Sequence, residues 1–388
     1  MKITHIHIER FRGFQNEDFE VGSLLTAIAG QNGTQKSTLL GIITQTFTLK
    51  TEDSMRVEKP LCGGSYISAF KDKFRLSPTF DKPKGHEWTI SFDAGMDDFT
   101  VESIKRTGDP NVRFWKKGAR QEGDGYISFP TIFLSLKRLV PVAEEAKIIT
   151  DDTLLTQEEL NEFKQLHNKI LIAQTPISSA TTITSKNKQS IGVSTELYDW
   201  NQNSMGQDNL GKIILALFSF KRLHDKYPRQ YKGGILAIDE MDATMYPASQ
   251  VELLKVLRKY ASKLNLQILF TTHSMSLLKA MDDLVQEVTK KEETANQAKI
   301  LYLKKVDDKI AIKQGVNFKG IQLDLNVVAE GNNRKKNRIT AYTEDKENIL
   351  FVKAILKSKA FVLDFVDVTL PCSTLMELVT KRVPAFIY

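Results

Sequence analysis

The stretch LLTAIAGQNGTQKSTLLGIITQTF, residues 24–47, combines an apolar segment, a loop with two glycines and a segment of helical spacing. Residues 24–29 are apolar enough for a buried strand, and residues 37–47 carry apolar side chains at helical spacing. The loop between them, GQNGTQKST (30–38), departs at a single position from the phosphate-binding pattern G-x-x-x-x-G-K-[ST]. A strand, such a loop and a helix in this order predict an α/β protein with a phosphate site at a strand end.

The loop predicts ATP and Mg²⁺ as cofactors. Backbone N–H groups of the loop and of the helix start would attract the phosphates, with Gly33 supplying backbone freedom. Lys36 would reach the β- and γ-phosphates, and the Ser37 hydroxyl would bind Mg²⁺. Gln35 replaces the second glycine, so its Cβ would crowd the nucleotide or change the loop, with more effect on hydrolysis than on binding. The predicted nucleotide-binding residues here are Gly30, Asn32, Gly33, Thr34, Gln35, Lys36, Ser37 and Thr38.

A second candidate segment is ILAIDE (235–240), an apolar strand that ends in two carboxylates. Asp239 would hold Mg²⁺ through water, and Glu240 would polarise the attacking water as a general base or orienting group. Adjacent carboxylates at a strand end repel each other unless a cation or water compensates, which favours a site over a solvated strand tip. The next predicted strand, LQILF (266–270), is followed closely by His273.

A third segment, NSMGQ (203–207), precedes a strongly apolar helix predicted from Leu210 to Leu223. By itself this segment is typical of a capped helix start. A helix N-terminus is also a site that binds anions, because its first N–H groups have no partner within the helix.

In this order the motifs resemble those of ABC-type ATPase heads, specifically the SMC, RecF and OLD group. The opening ITHIHIERFRGFQNEDFEV (3–21) is similar to the strand pair of that group, and the resemblance covers about residues 1–315. The segment PTIFLSLKRLVPV (130–142) is similar to one in stand-alone ATPases of bacterial antiphage systems. There Arg138 would approach the nucleotide or a partner, or form a structural ion pair. No long coiled coil interrupts the chain, which argues against an SMC-type chromosome organiser.

The resemblance implies roles for further residues. His273 would touch the γ-phosphate and join Glu240 as a catalytic residue, and Asp242 would contact the other subunit. Residues 203–207 would be the signature motif, with Asn203 and Met205 departing from its common form. Ser204, Gly206 and Gln207 would then bind the nucleotide held by the opposite subunit, so two chains, or a larger assembly, would pair head to tail.

Composition fits a protein of two or three domains. With 41% hydrophobic and 26% charged residues, the chain suits a globular protein, and its longest apolar runs fall well short of the ~20 residues that a membrane span needs. Because the N-terminus turns polar directly after Met1 and the only cysteines are Cys62 and Cys372, we predict a cytoplasmic protein without a membrane partner. The net charge of +7 is compatible with a nucleic-acid partner without demonstrating one.

The predicted organisation is an ABC-type head with a mostly parallel core sheet at residues 1–330. A β-rich insertion would span about 51–127, and a helical signature region about 151–230. Within that region, 151–171 reads as a helix that exposes Glu158, Glu159 and Glu162, and 176–194 as a loop or a hairpin. Residues 299–314 would close the head as a hairpin. The polar stretch EGNNRKKNR (330–338) predicts a linker, 331–338, before a last α/β segment, 339–388.

The last segment resembles the start of a Toprim domain. In ITAYTEDKENILFVKAIL (339–356), Glu344 would be the metal ligand and Glu347 could assist, although a helix start is rich in acids for dipole reasons alone. A nuclease site would also need an Asp-x-Asp pair to hold Mg²⁺, and the chain ends at PAFIY (384–388), where that strand would end. We therefore expect a truncated nuclease domain or a relic used for docking, which could not complete a two-metal site alone.

Three functions follow as hypotheses. The first is an ATPase that dimerises around ATP and controls a nuclease, in the chain's missing part or in a partner protein, during antiphage defence. The second is a RecF-like, ATP-dependent DNA repair clamp without nuclease activity. The third is a scaffold locked by ATP, in which Gln35 slows hydrolysis.

Overall fold

The structure is a computed structural model of the chain. It describes residues 1–66, 70–77, 79–93, 95–105, 112–118, 125–140, 148–152, 154–185, 189–330, 339–357, 360 and 363–381. The chain divides into two units, Met1–Gln322 and Leu323–Tyr388, and the division falls within a helix, Phe318–Glu330. The predicted linker 331–338 lies outside the described residues.

The first unit contains both strands and helices. In chain order, its strands are β1 (Ile3–Phe11), β2 (Phe14–Glu20), β3 (Leu25–Gly30), β4 (Phe47–Thr48), β5 (Glu87–Phe92), β6 (Phe99–Lys105), β7 (Val112–Lys116), β8 (Ile127–Ser128), β9 (Thr131–Leu134), β10 (Ile149–Asp152), β11 (Ser179–Thr184), β12 (Gln189–Ser194), β13 (Gly234–Ile238), β14 (Leu266–Thr272), β15 (Ala298–Val306) and β16 (Lys309–Lys313). Its helices are α1 (Lys36–Thr44), α2 (Phe70–Lys73), α3 (Gln157–Leu171), α4 (Met205–Lys226), α5 (Pro247–Lys263) and α6 (Met275–Val288), followed by α7 (Phe318–Glu330). Among the described helices, none is long and apolar enough to cross a bilayer.

The core sheet has the strand order β16-β15-β3-β14-β13-β9. Its pairs are parallel, except that β16 runs antiparallel to β15 at one edge. Strands β13 and β14 are buried along their whole length, as parallel strands covered on both faces are. The mostly parallel core sheet predicted from the sequence is thus confirmed. The carboxyl ends of β3, β13 and β14 meet at one edge, the place where open α/β sheets bind ligands.

A second, antiparallel sheet has the order β2-β1-β5-β6-β7. Its strands β5 to β7 come from the segment predicted to be a β-rich insertion, and they join β1 through pairs such as Ile6 with Ile90. One buried apolar cluster includes Ile6 and Trp88 of this sheet, Leu40 of α1 and Leu269 of the core sheet. The helix that follows the phosphate loop is therefore packed against apolar side chains from both sheets.

The segment predicted to be a helical signature region contains a small antiparallel sheet, β10-β11-β12, together with α3 and α4. Strands β11 and β12 pair in antiparallel, which matches the hairpin among the two predicted alternatives. The prediction of a helix over 151–171 with exposed glutamates is wrong in part. Helix α3 begins only at Gln157, after a capping box at Thr156, and Glu159 is buried against Arg222 of α4 at 2.6 Å. Charged residues face inward here because α4 supplies a partner for them.

The second unit contains β17 (Ile339–Thr343), α8 (Lys346–Leu356), β18 (Leu363–Thr369) and α9 (Cys372–Thr380). Strands β17 and β18 pair in parallel with α8 between them, which makes a βαβ unit. Asp345 caps α8 by accepting a hydrogen bond from the Asn348 N–H at 2.8 Å. The strand predicted for the end of the chain falls on 382–388, outside the described residues.

Candidate nucleotide site

The phosphate loop lies between β3 and α1, and its backbone conformation depends on residues with positive φ. Gly30 has φ 152°, Gly33 has φ 80°, and Gln35, the N-cap of α1, has φ 62° and ψ 32°. A Cβ on Gly33 would meet nothing within 4 Å, so the loop is open at that point. Gln35 therefore takes the left-handed conformation that glycine adopts most easily, at the position where the loop pattern has glycine.

The Gln35 side chain points toward the turn between β1 and β2. A Cβ on Gly13 of that turn would lie 2.9 Å from Gln35 Nε2 and 2.6 Å from Ile310 Cγ1. Gln35 Oε1 is buried and has no hydrogen-bond partner among the described residues. The departure from glycine is thus accommodated by a strained backbone and by the missing side chain at Gly13.

Lys36 lies at the mouth of the loop. Its Nζ donates hydrogen bonds to the carbonyls of Gly30 at 3.0 Å and Gln31 at 2.9 Å. Burial lowers the pKa of Lys36, while the nearby carboxylates Glu240, Asp239 and Asp242 raise it in part. A partly desolvated ammonium with carbonyl partners can transfer its hydrogen bonds to phosphate oxygens.

Ser37 and Asp239 form the candidate metal pair. The Ser37 hydroxyl donates to Asp239 Oδ1 at 2.8 Å, and the Thr271 hydroxyl donates to the same oxygen at 2.7 Å. Hard oxygen ligands suit Mg²⁺, which binds few protein groups because it keeps several waters and takes phosphate oxygens as ligands. The described residues contain no group of three or more His, Cys, Asp or Glu side chains that could hold a metal by themselves. The Ser37–Asp239 pair therefore fits a magnesium ion that arrives with a nucleotide.

Glu240 directly follows Asp239 and has a strained backbone, with φ 48°. Its N–H donates to the Thr271 hydroxyl at 2.6 Å, and its carbonyl accepts from Arg138 Nη2 at 2.7 Å. Strained residues persist where their surroundings hold them, and they concentrate at functional sites. Both main-chain polar groups of Glu240 are held, so the direction in which its side chain leaves the backbone is fixed.

Asp242 and His273 lie beside this pair. The His273 N–H donates to Asp242 Oδ1 at 3.3 Å, and the next residue, Ser274, caps α6 by accepting from the Leu277 N–H. Burial and then the Lys36 charge lower the pKa of His273. A neutral imidazole keeps one ring N–H, which can donate to a phosphate oxygen.

The predicted signature residues form the start of α4. The Ser204 hydroxyl accepts from the Gln207 N–H at 3.3 Å, and the Gln207 side chain accepts from the Ser204 N–H at 2.8 Å. A Cβ on Gly206 would lie 2.6 Å from the Thr244 carbonyl, so this glycine lets α4 approach the loop after Glu240. None of the hydrogen bonds of the described residues joins 203–207 to the phosphate loop 30–38.

Arg138 lies behind the site and is 2% exposed. It donates to the Asn209 side chain, to the Leu134 and Ser135 carbonyls and to the Glu240 carbonyl. Its hydrogen-bond partners are thus carbonyl and amide oxygens, where a structural ion pair was one expectation. Thr271 and Asn209 were missed by the sequence interpretation. Asn209 follows the polar residues Gln207 and Asp208 and precedes the apolar run of α4, so it had no local signal.

Glu344, the other predicted metal ligand, lies in the second unit directly after β17 and is exposed. The structure describes no cluster of metal-binding side chains around it. Glu347 lies in the first turn of α8, where the helix dipole favours an acidic residue irrespective of function.

The model of the AAA ATPase domain family matches residues 1–189 and 135–278. A similar solved structure is the SMC head domain from Thermotoga maritima, with 14% identity and a TM-score of 0.45, over 81% of this chain and 100% of that chain.

Two further similar structures are SMC heads with a bound partner. One is the SmcHead bound to the C-winged helix domain of ScpA, with 14% identity and a TM-score of 0.49, over 83% of this chain and 100% of that chain. The other is an Smc head domain with an extended coiled coil bound to the C-terminal domain of ScpA derived from Pyrococcus furiosus, with 12% identity and a TM-score of 0.46, over 84% of this chain and 99% of that chain. No curated protein matches the chain in sequence. By the family match, which spans more than half of its length, the chain belongs to the AAA ATPase domain family, and the ATPase predicted from its motifs is confirmed at that level.

Proposed function

We propose that this ATPase binds ATP and Mg²⁺ between two copies of the chain arranged head to tail, hydrolyses the ATP there, and thereby controls a cytoplasmic antiphage nuclease that acts on nucleic acid. The observation that carries the ATPase part is the convergence of Ser37, Asp239 and Thr271. A loop hydroxyl and a strand-end carboxylate lie 2.8 Å apart at the edge of a parallel sheet, beside a lysine bonded to its own loop.

Each side chain has a defined task in this proposal. Lys36 exchanges its two carbonyl partners for phosphate oxygens, and the first N–H groups of α1 bind the same phosphates. Ser37 and Asp239 would hold Mg²⁺, which neutralises phosphate charge as the terminal phosphoryl group departs. Glu240 orients and deprotonates the attacking water, and neutral His273 donates a hydrogen bond to the γ-phosphate.

The head-to-tail arrangement is supported by the start of α4. This helix runs from Met205 to Lys226, and its first-turn N–H groups form an anion site capped by Ser204. Its neighbours in the same chain are the Thr244 carbonyl and Tyr198, whereas the phosphate loop bonds to Asp239. We therefore infer that the α4 start of one chain contacts the γ-phosphate held by the other chain.

The nuclease part of the proposal is supported by the second unit. Its βαβ arrangement places Glu344 directly after a strand, and α8 exposes three large apolar side chains, Leu350, Phe351 and Ile355. An exposed apolar face of this kind is typical of an interaction surface. The nuclease would then be a domain or a partner protein that the ATPase heads bring together.

The ATPase proposal is tested with Glu240→Gln, which keeps the shape of the side chain but removes its basicity. We expect hydrolysis to fall by about 10²- to 10⁴-fold, the usual contribution of a positioned base, while ATP and Mg²⁺ convert the variant into a stable dimer. Light scattering with and without ATP measures the mass. The matched control is Glu252→Gln, a half-buried glutamate of α5 paired with Lys255. A Glu240→Gln chain that stays monomeric with saturating ATP would contradict the proposal.

The nuclease part has its own test, because it can fail while the ATPase part stands. Labelled single- and double-stranded DNA and RNA are incubated with the chain, with ATP and Mg²⁺, alone and with the proteins that co-purify with it. We expect cleavage only in the presence of a partner, and we expect Lys36→Ala to abolish it. ATP-dependent binding to DNA without cleavage under any condition would favour a repair clamp instead.

A further inference from the structure

A buried network connects the start of α4 to the peptide of Glu240. Arg138 Nε donates to Asn209 Oδ1 at 2.7 Å, and Arg138 Nη2 donates to the Glu240 carbonyl at 2.7 Å. Asn209 Nδ2 in turn donates to the Ala243 carbonyl at 3.0 Å. Asn209 is fully buried and lies five residues after the N-cap Ser204. The network therefore joins the start of α4, the proposed anion site, to the backbone of Glu240 and of the loop that follows it.

We propose that Arg138 is a positioning residue that couples the two ATP sites of the dimer, by transmitting contact at the start of α4 to the Glu240 of the same chain. The inference rests on the shared site proposed above. In that arrangement, the α4 start of a chain touches the nucleotide of its partner, whereas Glu240 acts on the chain's own nucleotide. A rigid connection between them lets each site respond to the occupancy of the other.

The geometry at Glu240 supports this role. A left-handed backbone at a residue other than glycine costs about 1–3 kcal/mol and persists only when its surroundings hold it. At φ 48°, the Glu240 peptide is held on its N–H by Thr271 and on its carbonyl by Arg138. Thr271 belongs to the same core sheet, whereas Arg138 is the support that also contacts α4. A shift of α4 therefore acts on the carbonyl side of this peptide.

The identity of the residue follows from its contacts. Arg138 uses Nε, Nη1 and Nη2 on four oxygens, two of them the carbonyls of Leu134 and Ser135 at the end of β9. A planar guanidinium can serve all of these at once, but the single nitrogen of lysine cannot. Because one rigid guanidinium makes all four contacts, a change in its contact with Asn209 also alters its contact with the Glu240 carbonyl.

A second contact runs along the same path. The Gly206 backbone lies against the Thr244 carbonyl, close enough that a Cβ would approach it to 2.6 Å. Residues 243 and 244 thus touch α4 at two points, one through Asn209 and one through Gly206. Displacement of the α4 start has to move the loop that follows Glu240.

The test compares Arg138→Gln, Arg138→Lys and Asn209→Ala with the wild-type chain. The matched control is Arg222→Gln, which removes a hydrogen-bonded arginine from the C-terminal part of α4, far from Asn209. There Arg222 pairs with Glu159 of α3. For each protein, kcat, KM for ATP, the Hill coefficient, the affinity for a fluorescent ATP analogue and thermal stability are measured. The wild-type chain should show a Hill coefficient above 1, as coupled sites do.

In all three variants we expect kcat to fall by about 10- to 100-fold, a partial loss of the about 10²- to 10⁴-fold that a positioned base contributes, with KM changed by less than about 3-fold. The Hill coefficient should fall towards 1, and Arg138→Lys should not rescue it. Arg222→Gln should keep wild-type kcat and cooperativity despite any loss of stability. If Arg138→Gln fails to fold, Arg138→Lys and Asn209→Ala carry the same test.

Two results would overturn the coupling alone: wild-type kcat and Hill coefficient in the variants, or full rescue by lysine. A wild-type chain that neither hydrolyses ATP nor dimerises with it would instead refute the shared-site proposal, and the coupling with it. The two failures are therefore distinguishable from the wild-type measurements.

Discussion

Gln35 has a left-handed backbone at the start of α1, and its amide oxygen is buried without a partner among the described residues. Both features oppose stability, because a Cβ in this conformation costs about 1–2 kcal/mol and a buried unpaired polar atom costs about 1–3 kcal/mol. The two contributions can be separated with Gln35→Ala and Gln35→Gly, since both remove the amide and only glycine removes the Cβ. We expect the glycine variant to be more stable than the alanine variant by about 1 kcal/mol in urea unfolding.

Equal stabilities for these two variants would show that the loop relaxes around Gln35 without backbone strain. The matched control is Gly33→Ala. Gly33 has φ 80° and open space around it, so the substitution adds a Cβ at a neighbouring left-handed residue without a steric clash. It should lower stability by a similar amount, and it calibrates the cost of a Cβ in this loop.

Thr271 connects Asp239, of the proposed metal pair, to the peptide of Glu240, and it supports a second prediction at this scale. Thr271→Val keeps the shape of the side chain but removes the donor to Asp239 and the acceptor for the Glu240 N–H. Loss of such a supporting group typically weakens metal affinity by about 10- to 100-fold. We expect the Mg²⁺ concentration at half-maximal hydrolysis to rise by that factor. The control is Thr272→Val at the next residue of β14, whose hydroxyl accepts a hydrogen bond from the Ser274 N–H. It should leave this Mg²⁺ concentration unchanged.

The residues predicted from the sequence and those missed differ in how far apart their partners are. Lys36 and Ser37 are adjacent in a short pattern, and Asp239 ends an apolar strand, so each is visible locally. Arg138 was singled out from the sequence, but its contacts with Asn209 and Glu240, 71 and 102 positions away, were not predicted. A buried arginine with amide and carbonyl partners has no local signature, because its partners come together only when the sheet and α4 pack.

At the scale of elements, α3 shows how tertiary contacts override a surface pattern. Three glutamates near its start predicted an exposed face, yet Glu159 pairs with Arg222 and Glu162 with Lys221, both on α4. The strands and helices around the phosphate loop were predicted because each has a clear apolar period and a clear end. The sheet in which β5, β6 and β7 extend from β1 was not predicted, since the choice of strand partner in an antiparallel sheet depends on contacts far apart in sequence.

His167 of α3 makes the stability of this element depend on pH. It is 2% exposed and stacks on Phe163 at 5.8 Å, and burial lowers its pKa to about 4, below the ordinary value of about 6.5. The unfolded chain therefore binds this proton first as pH falls, and stability is lost between about pH 6.5 and pH 4. The expected loss from this residue is about 3 kcal/mol.

His167→Phe should flatten that part of the stability curve, because a ring of similar shape remains and the titrating group is gone. Unfolding by urea at a series of pH values measures this, and His224→Gln, at an exposed histidine of α4, serves as the control. If the wild-type and His167→Phe chains lose the same stability between pH 6.5 and pH 4, burial does not set the His167 pKa.

At the scale of the whole molecule, the proposed site is incomplete in one chain. The phosphate loop and Glu240 belong to one protomer and the start of α4 to the other, so two different defects should complement each other. Lys36→Ala removes the phosphate ligand but leaves its own α4 start intact. Ser204→Arg blocks that anion site but leaves its own phosphate loop intact. A mixed dimer thus contains one complete site and one site with both defects.

We expect each variant alone to remain monomeric with ATP, even at doubled concentration, and their mixture to form dimers that hold about one nucleotide each. Light scattering and nucleotide quantification measure both quantities.

The hydrolysis rate of the mixed dimer then separates two mechanisms. Independent sites would give about half of the wild-type rate per dimer, because one of the two sites is complete. Sites coupled through Arg138 would give far less, since the empty second site leaves the working Glu240 without its signal. A mixture that stays monomeric would mean that the start of α4 does not complete the partner's site.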